Sequence, residues 1–152
     1  MEKSELLNYF QEPLFISSLS TTTRDAALDE LVRCFVNAGM VRNRNIVSEM
    51  LRRREALGST GIGYGIAIPH GRSTAVPDVM IAFGRSDKGI DWEAMDGKPV
   101  HLIFLVLAPP QEQNNRYLPI LGGLVEVLSD GRQREKLRKI KSFTDLTTLL
   151  QS

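Results

Sequence analysis

Apolar residues recur along this chain at distinct spacings, and each spacing predicts an element. From residue 22 on, Leu28, Leu31, Val32, Phe35 and Val36 return every three or four positions, the period of a helix with one buried face. Thr22 with Asp25 three places on makes a capping-box-like start, and Gly39 supplies the stop. A second helix over residues 45–55 carries Ile46, Val47, Met50 and Leu51 as its stripe. Arg54 lies at i+7 from Val47, i+4 from Met50 and i+3 from Leu51, so it continues that stripe. Arg52 and Arg53 point elsewhere and complement the helix dipole. Leu118, Leu121, Leu124, Val125 and Leu128 predict a third helix, with Pro119 tolerated only in its first turn. Asp130-Gly131 ends it. A short basic helix over 132–140 follows, and Ser142-Phe-Thr-Asp145 caps a last one to residue 150.

Strands read differently. Residues 14–16 predict a short strand after Pro13, and residues 79–83 a strand ending at Gly84. Asp87-Lys-Gly89 and Asp96-Gly97 mark turns on either side of Ile90-Asp-Trp92. Residues 100–108 are almost continuously apolar, as a central strand covered on both faces must be, and Pro109-Pro110 ends it ahead of a polar loop over 111–116. Within residues 57–72, glycines alternate with Ile62, Tyr64 and Ile66, which predicts an extended segment burying one side. Repeats, low-complexity tracts and linkers are absent from the sequence. The expectation is one α/β domain over residues 1–152, with helices flanking a mostly buried sheet.

Composition narrows the class. With 42% hydrophobic and 24% charged residues, the chain matches a soluble globular protein. A net charge of +1, from 19 basic and 18 acidic residues, argues against a general nucleic-acid binder, which needs a basic excess on one face. The single cysteine, Cys34, rules out an intrachain disulfide and reads as a small, half-buried thiol on the first helix. The opening Met-Glu-Lys-Ser-Glu lacks the basic and apolar regions of a signal peptide, and the longest apolar run, residues 102–107, is too short to span or insert into a membrane. A cytoplasmic protein is expected.

The glycine-rich stretch carries the candidate chemistry. Gly58, Gly61, Gly63 and Gly65 leave backbone N–H groups open to an anion, and Pro69 fixes the chain just before His70. Arg72 follows two residues later, so an anionic group is expected at His70. No Lys-Ser/Thr closes the glycine loop as phosphate-binding loops require, and Gly61-Ile-Gly63-Tyr-Gly65 is not a dinucleotide fingerprint. His70 and His101 are the only histidines, too few for a metal centre, and Gly-x-Ser-x-Gly is absent. Histidine as nucleophile is what is left. A neutral imidazole can hold a phosphoryl group, given one oriented ring nitrogen, N–H donors and a cation. On the inner side of its helix the Arg54 guanidinium needs an anionic partner, either a structural carboxylate or a functional anion. His101, in the central strand, reads as a structural strand-end residue.

Arg54-Glu55, Ser59-Thr60-Gly61-Ile62-Gly63 and Gly65-Ile66-Ala67-Ile68-Pro69-His70-Gly71-Arg72 resemble the signature of fructose/mannitol-type enzyme IIA domains of the bacterial phosphotransferase system (PTS). The strand over 100–109, preceded by Asp96-Gly97-Lys98-Pro99, and the helix over 145–150 extend the resemblance over nearly the whole chain. It implies an α/β sandwich with a mixed sheet and a phosphohistidine carrier that needs no cofactor or metal. His70 would be the phosphorylated residue, Arg54 the arginine that contacts the phosphoryl group, and Thr60, Gly61 and Gly63 its neighbours, with Arg72 close by. The implied donor is a small histidine phosphocarrier such as HPr or its nitrogen-branch counterpart. A IIB cysteine is a possible acceptor, and Cys34 does not look like one.

One position departs from the pattern. Many members carry a second histidine in a His-Leu pair opening the third helix, where this chain has Tyr117-Leu118. A tyrosine can donate a hydrogen bond to a phosphoryl oxygen but does not titrate near pH 7. Two roles follow from the resemblance: a sugar-transport carrier, and a stand-alone regulator like the nitrogen-type IIA proteins, acting on target proteins. The lack of a fused IIB or membrane part favours the second. A ligand-binding module without phosphotransfer is a third reading, against which the retention of both Arg54 and His70 argues.

Overall fold

The nearly unbroken apolar run becomes the middle of a six-stranded sheet in the computed structural model, which describes residues 1–151. A short helix α1 (Lys3–Leu6) and a 3-10 turn (Leu7–Tyr9) lead into β1 (Phe10–Ile16), α2 (Arg24–Asn37) and α3 (Arg44–Leu57). Three short strands follow: β2 (Gly61–Gly63), β3 (Ile66–Ala67) and β4 (His70–Arg72). The long strands β5 (Met80–Ile90) and β6 (Val100–Ala108) precede α4 (Tyr117–Leu128), α5 (Gly131–Lys139) and α6 (Phe143–Gln151). No helix among the described residues is long and apolar enough to cross a membrane.

Strand order is β1-β5-β6-β3-β2, and β4 takes up the edge of β6 beyond β3. β5 and β6 pair antiparallel, whereas β1 runs parallel to β5, and β3 and β4 run parallel to β6. The sheet is therefore mixed and covered on both faces, the α/β sandwich expected from the sequence. On one face Ala82, Ile103, Leu105 and Leu107 meet Leu28, Leu31 and Phe35 of α2 and Val47 and Leu51 of α3. On the other, Ile81, Phe83, Phe104 and Val106 meet Leu6, Ile120, Leu124, Leu137 and Leu146. Each such fully buried side chain contributes about 1.5–3 kcal/mol.

Several boundaries differ from the sequence reading, each for a local reason. The cap of α2 is Thr23, whose Oγ1 accepts from the Ala26 N–H at 3.3 Å, so Asp25 sits too near the start to close a box with Thr22. Asn43 caps α3 by accepting from the Ile46 N–H at 3.2 Å. That helix buries Val47, Ser48, Leu51 and Glu55, a stripe rotated away from the half-exposed Ile46. β1 begins before Pro13, because an edge strand with a shifted register tolerates a residue without an N–H. β5 continues through Gly84, and Asp87-Lys-Gly89 is an irregularity in its pairing with β6 rather than a break. α4 turns Tyr117, Ile120, Gly123, Leu124 and Leu128 inward and leaves Leu118 68% exposed.

The glycine segment departs most. It does not run straight: Tyr64 (φ 59°) and Gly65 (φ 77°) form the two-residue turn of a hairpin between β2 and β3. The expected alternation fails, since Tyr64 is 70% exposed while Gly61, Gly63 and Gly65 are buried.

Candidate functional site

His70 opens β4 opposite Val106 of β6, so it sits where the central strand ends. The helix α3 reaches β4 because residue 71 has no side chain: a Cβ there would lie 2.6 Å from the Met50 Sδ. The loop that follows β6 delivers Tyr117 at the start of α4. Three segments distant in sequence thus converge at one end of the sheet.

The imidazole is held by one hydrogen bond. Its Nδ1 lies 2.7 Å from the Ile68 carbonyl oxygen. A carbonyl only accepts, so Nδ1 carries the proton, and the lone pair of the neutral ring resides on Nε2. His70 as a whole is half-buried.

A phenol packs against the ring, and two cations act on that phenol. Arg72 donates from Nη1 to the Pro110 carbonyl at 3.0 Å, and its Cζ lies 4.5 Å from the centre of the Tyr117 ring. The Tyr117 ring is tilted 55° to the His70 ring, with centroids 6.3 Å apart. Burial pushes the Tyr117 phenol above its ordinary pKa, and the positive charges of Arg72 and Arg54 oppose this. The phenol is therefore neutral near pH 7. Its hydroxyl has no hydrogen-bond partner among the described residues, so its proton is free for an incoming acceptor. Arg54, half-buried near the end of α3, donates from Nη1 to the Gly58 carbonyl at 2.8 Å. It forms no ion pair among the described residues, so the structural carboxylate it was expected to need is not there.

Thr60 and Gly61 are engaged in local hydrogen bonds, and the Thr60 carbonyl accepts from the Ile68 N–H at 3.1 Å, two residues before His70. Thr60 is only 4% exposed, and its hydroxyl and N–H are both taken by the Glu55 carboxylate, the N–H at 3.0 Å. Trp92 Nε1 donates to the same hydroxyl oxygen at 3.1 Å. The Gly61 N–H is bonded to Ser59 Oγ at 3.0 Å, and the Tyr64 N–H to an Asp96 carboxylate oxygen at 3.0 Å. Of the amides expected to be open to an anion, that of Gly61 is taken by Ser59 and that of Gly58 by the Glu55 carbonyl at 3.1 Å, because local acceptors satisfy them first. Ile66 pairs with Leu102 while His70 pairs with Val106, a separation of about 13 Å along the strand. Gly63 is level with Ile66 and Gly61 with Ala67, and only the Tyr64-Gly65 turn lies beyond Ile66, towards the other end of the sheet.

The remaining candidates are structural in their surroundings. His101 sits in β6 with Nδ1 2.9 Å from the Ser86 carbonyl, far from His70. Cys34 packs against the core, where burial, reinforced by Glu30, raises its thiol pKa and disfavours the reactive thiolate. The sequence gives Glu55 and Trp92 no role, although the structure makes them the partners of Thr60. The signal for Glu55 was its place four residues after Leu51 and eight after Val47, on the face of α3 that turns out to be buried.

The model of the phosphoenolpyruvate-dependent sugar phosphotransferase system EIIA 2 family matches residues 8–152. A fructose-specific PTS EIIABC component of Bacillus subtilis is 39% identical over 91% of this chain, which spans 21% of that protein's length. A nitrogen regulatory protein of Bradyrhizobium diazoefficiens is 37% identical over 89% of this chain and 87% of its own. The crystal structure of the nitrogen regulatory protein IIA-Ntr from Neisseria meningitidis superposes with a TM-score of 0.85 at 30% identity, covering 94% of this chain and 97% of that one.

Proposed function

Because the chain belongs to the EIIA 2 family of the sugar phosphotransferase system, we propose that it carries a phosphoryl group on Nε2 of His70. The observation that carries this reading is the Nδ1 contact to the Ile68 carbonyl, which leaves Nε2 with its lone pair on a ring packed against Tyr117, itself in the field of Arg72 and Arg54. In the transfer, that lone pair forms the N–P bond as the N–P bond of a phosphohistidine on an HPr-like carrier breaks. The donor ring leaves with the electron pair. Positive charge building on the His70 ring is shared with the Ile68 carbonyl through Nδ1–H, while Arg54 and the Tyr117 hydroxyl receive the phosphoryl oxygens. Arg72 stiffens the Tyr117 ring and adds positive field. Thr60 and Gly61 act indirectly, by fixing the turn after α3 on which Arg54 leans, and Gly63 takes no part.

In this reading the chain is a phosphotransferase in the carrier sense, acting as one IIA unit over residues 1–152 in the cytoplasm. A phosphoryl group adds roughly two negative charges to the rim around His70, enough to make or break a charged interface. The regulatory role, in which target proteins distinguish the two states, is supported by the nitrogen regulatory relative and by a tyrosine that holds its proton over the physiological range. The fructose-specific relative supports the second reading, onward transfer to a IIB cysteine during sugar uptake.

Incubation with phosphoenolpyruvate, enzyme I and an HPr-like carrier tests the assignment. One acid-labile phosphoryl group is expected, absent from His70→Ala; labelling of that variant would overturn it. Rapid loss of the label to a fructose-type IIB domain, with no protein retained differently by the two phosphorylation states, would favour transport.

A further inference from the structure

We propose that the end of the sheet opposite His70 holds a second site, for a small molecule bearing a phosphate monoester. It is independent of the carrier reading. A cleft of about 620 Å³ opens there between the β2–β3 hairpin, the turn at residues 95–99, His101 and Arg138 of α5. A second cleft of about 530 Å³ adjoins it and shares Tyr64 and Arg138. Together they have the size of a metabolite site.

The charges lining these clefts are unevenly paired. Arg85 is neutralised by Asp87 at 2.7 Å and also donates to the Arg138 carbonyl at 2.9 Å, which covers the negative end of α5. Lys139 reaches Glu135 at 3.5 Å, and Asp96 accepts from the backbone of Tyr64 and Lys98. The guanidinium of Arg138 forms no ion pair or side-chain hydrogen bond among the described residues, while the Lys98 ammonium makes no direct ion pair but lies in the field of the Asp96 carboxylate, which lines the same cleft. Lys98 and Arg138 against Asp96 leave this concave wall with one excess positive charge, centred on the unpaired Arg138, which suits an anion.

The geometry around Gly65 keeps that wall open. A Cβ on Gly65 would lie 3.6 Å from the His101 Cδ2, 3.8 Å from the Pro99 carbonyl oxygen and 3.9 Å from an Arg138 Nη1. The missing side chain therefore leaves a gap bounded by an imidazole edge and a guanidinium. The His101 Nδ1–H is given to the Ser86 carbonyl, which fixes the ring with its Cδ2 edge towards Gly65. Tyr64 completes the arrangement. An aromatic residue at φ 59° is an outlier where asparagine or glycine is the rule, and here it holds a 70%-exposed ring over the cleft, with the Arg134 Cζ 4.1 Å from its centroid. A phosphate would take Arg138, bidentate, with Lys98, and the organic part would lie against Tyr64.

Titration of the isotope-labelled full chain with inorganic phosphate, fructose 1-phosphate and fructose, at constant ionic strength, tests this by NMR. Saturable shifts of Tyr64, Gly65 and His101 with fructose 1-phosphate, and none with fructose, are expected. Comparable binding of inorganic phosphate would assign the site to phosphate itself, whereas binding at least tenfold weaker would assign it to the ester. Arg138→Gln and Lys98→Gln should each weaken binding about tenfold, with unchanged melting temperature and unchanged phosphorylation of His70. Non-saturating shifts, shifts confined to His70 and Tyr117, or equal binding by the variants would overturn the proposal.

Discussion

The guanidinium carbon of Arg72 stands 4.5 Å above the centre of the Tyr117 ring. The pair joins β4 to α4 and sets the phenol beside His70. Tyr117→Phe keeps this stack and removes only the hydroxyl. It should still accept a phosphoryl group, but transfer should slow about tenfold to a hundredfold, the worth of a hydrogen bond to a charged group at roughly 1.5–3 kcal/mol. Unchanged transfer kinetics in single-turnover assays would remove the hydroxyl from the mechanism.

The same phenol makes a pH prediction. Burial raises its pKa in the folded chain above the value of about 10 of an unfolded tyrosine. Between those two values the unfolded chain loses the proton and the folded chain keeps it. Stability contributed by neutral Tyr117 is thus complete below pH ~10 and is lost as the pH rises towards the folded value. Denaturant midpoints of the wild type should fall more steeply above pH ~10 than those of Tyr117→Phe.

Arg54 leans on the Gly58 carbonyl and has no carboxylate partner among the described residues. Arg54→Gln should leave the melting temperature within about a degree while slowing transfer by roughly 2.7–4 kcal/mol, or 10²–10³-fold. A variant that transfers normally but melts early would show that Arg54 serves the end of the helix instead.

Thr60→Val separates support from contact. It leaves the buried Glu55 carboxylate without the hydroxyl that serves it, and should cost about 1–3 kcal/mol of stability. At 20 °C, where the variant is still folded, phosphorylation of His70 should proceed at near the normal rate. A specific loss of transfer without loss of stability would return Thr60 to the phosphoryl group.

Gly61→Ala is expected to be costly for a steric reason. Its Cβ would meet the Cα of Ala94 at 2.9 Å, and backbone cannot turn aside as a side chain can. Overpacking of about 1–3 kcal/mol should lower the melting temperature by roughly 3–10 °C. An unchanged melting curve would mean the turn at 94–97 moves freely.

The apolar pattern by itself determined the central strand to the residue, Val100–Ala108, because a strand buried on both faces must be apolar throughout. It also determined the caps and breaks of the later helices: Pro119 in the first turn, Asp130-Gly131, and Ser142, whose Oγ accepts from the Asp145 N–H at 3.1 Å. The order of residues around His70 marked the stretch worth attention. Tertiary structure decided the rest. Periodicity counts apolar positions but does not say which side another element will cover, so Leu118 and Ile46 were read as buried and are not, while Glu55 was passed over. Alternating glycines fit a straight strand and a hairpin equally well, and the hairpin carries Gly63 away from the histidine. The neighbours of His70 come from α3, β4 and α4, whose meeting depends on Met50 packing where Gly71 has no side chain. Local sequence encodes propensity and phase. Which charges end up unpaired is set by contacts between distant segments, and in this protein those contacts leave Arg54 on a backbone carbonyl without a carboxylate partner and hold the Nδ1 proton of His70 on the Ile68 carbonyl.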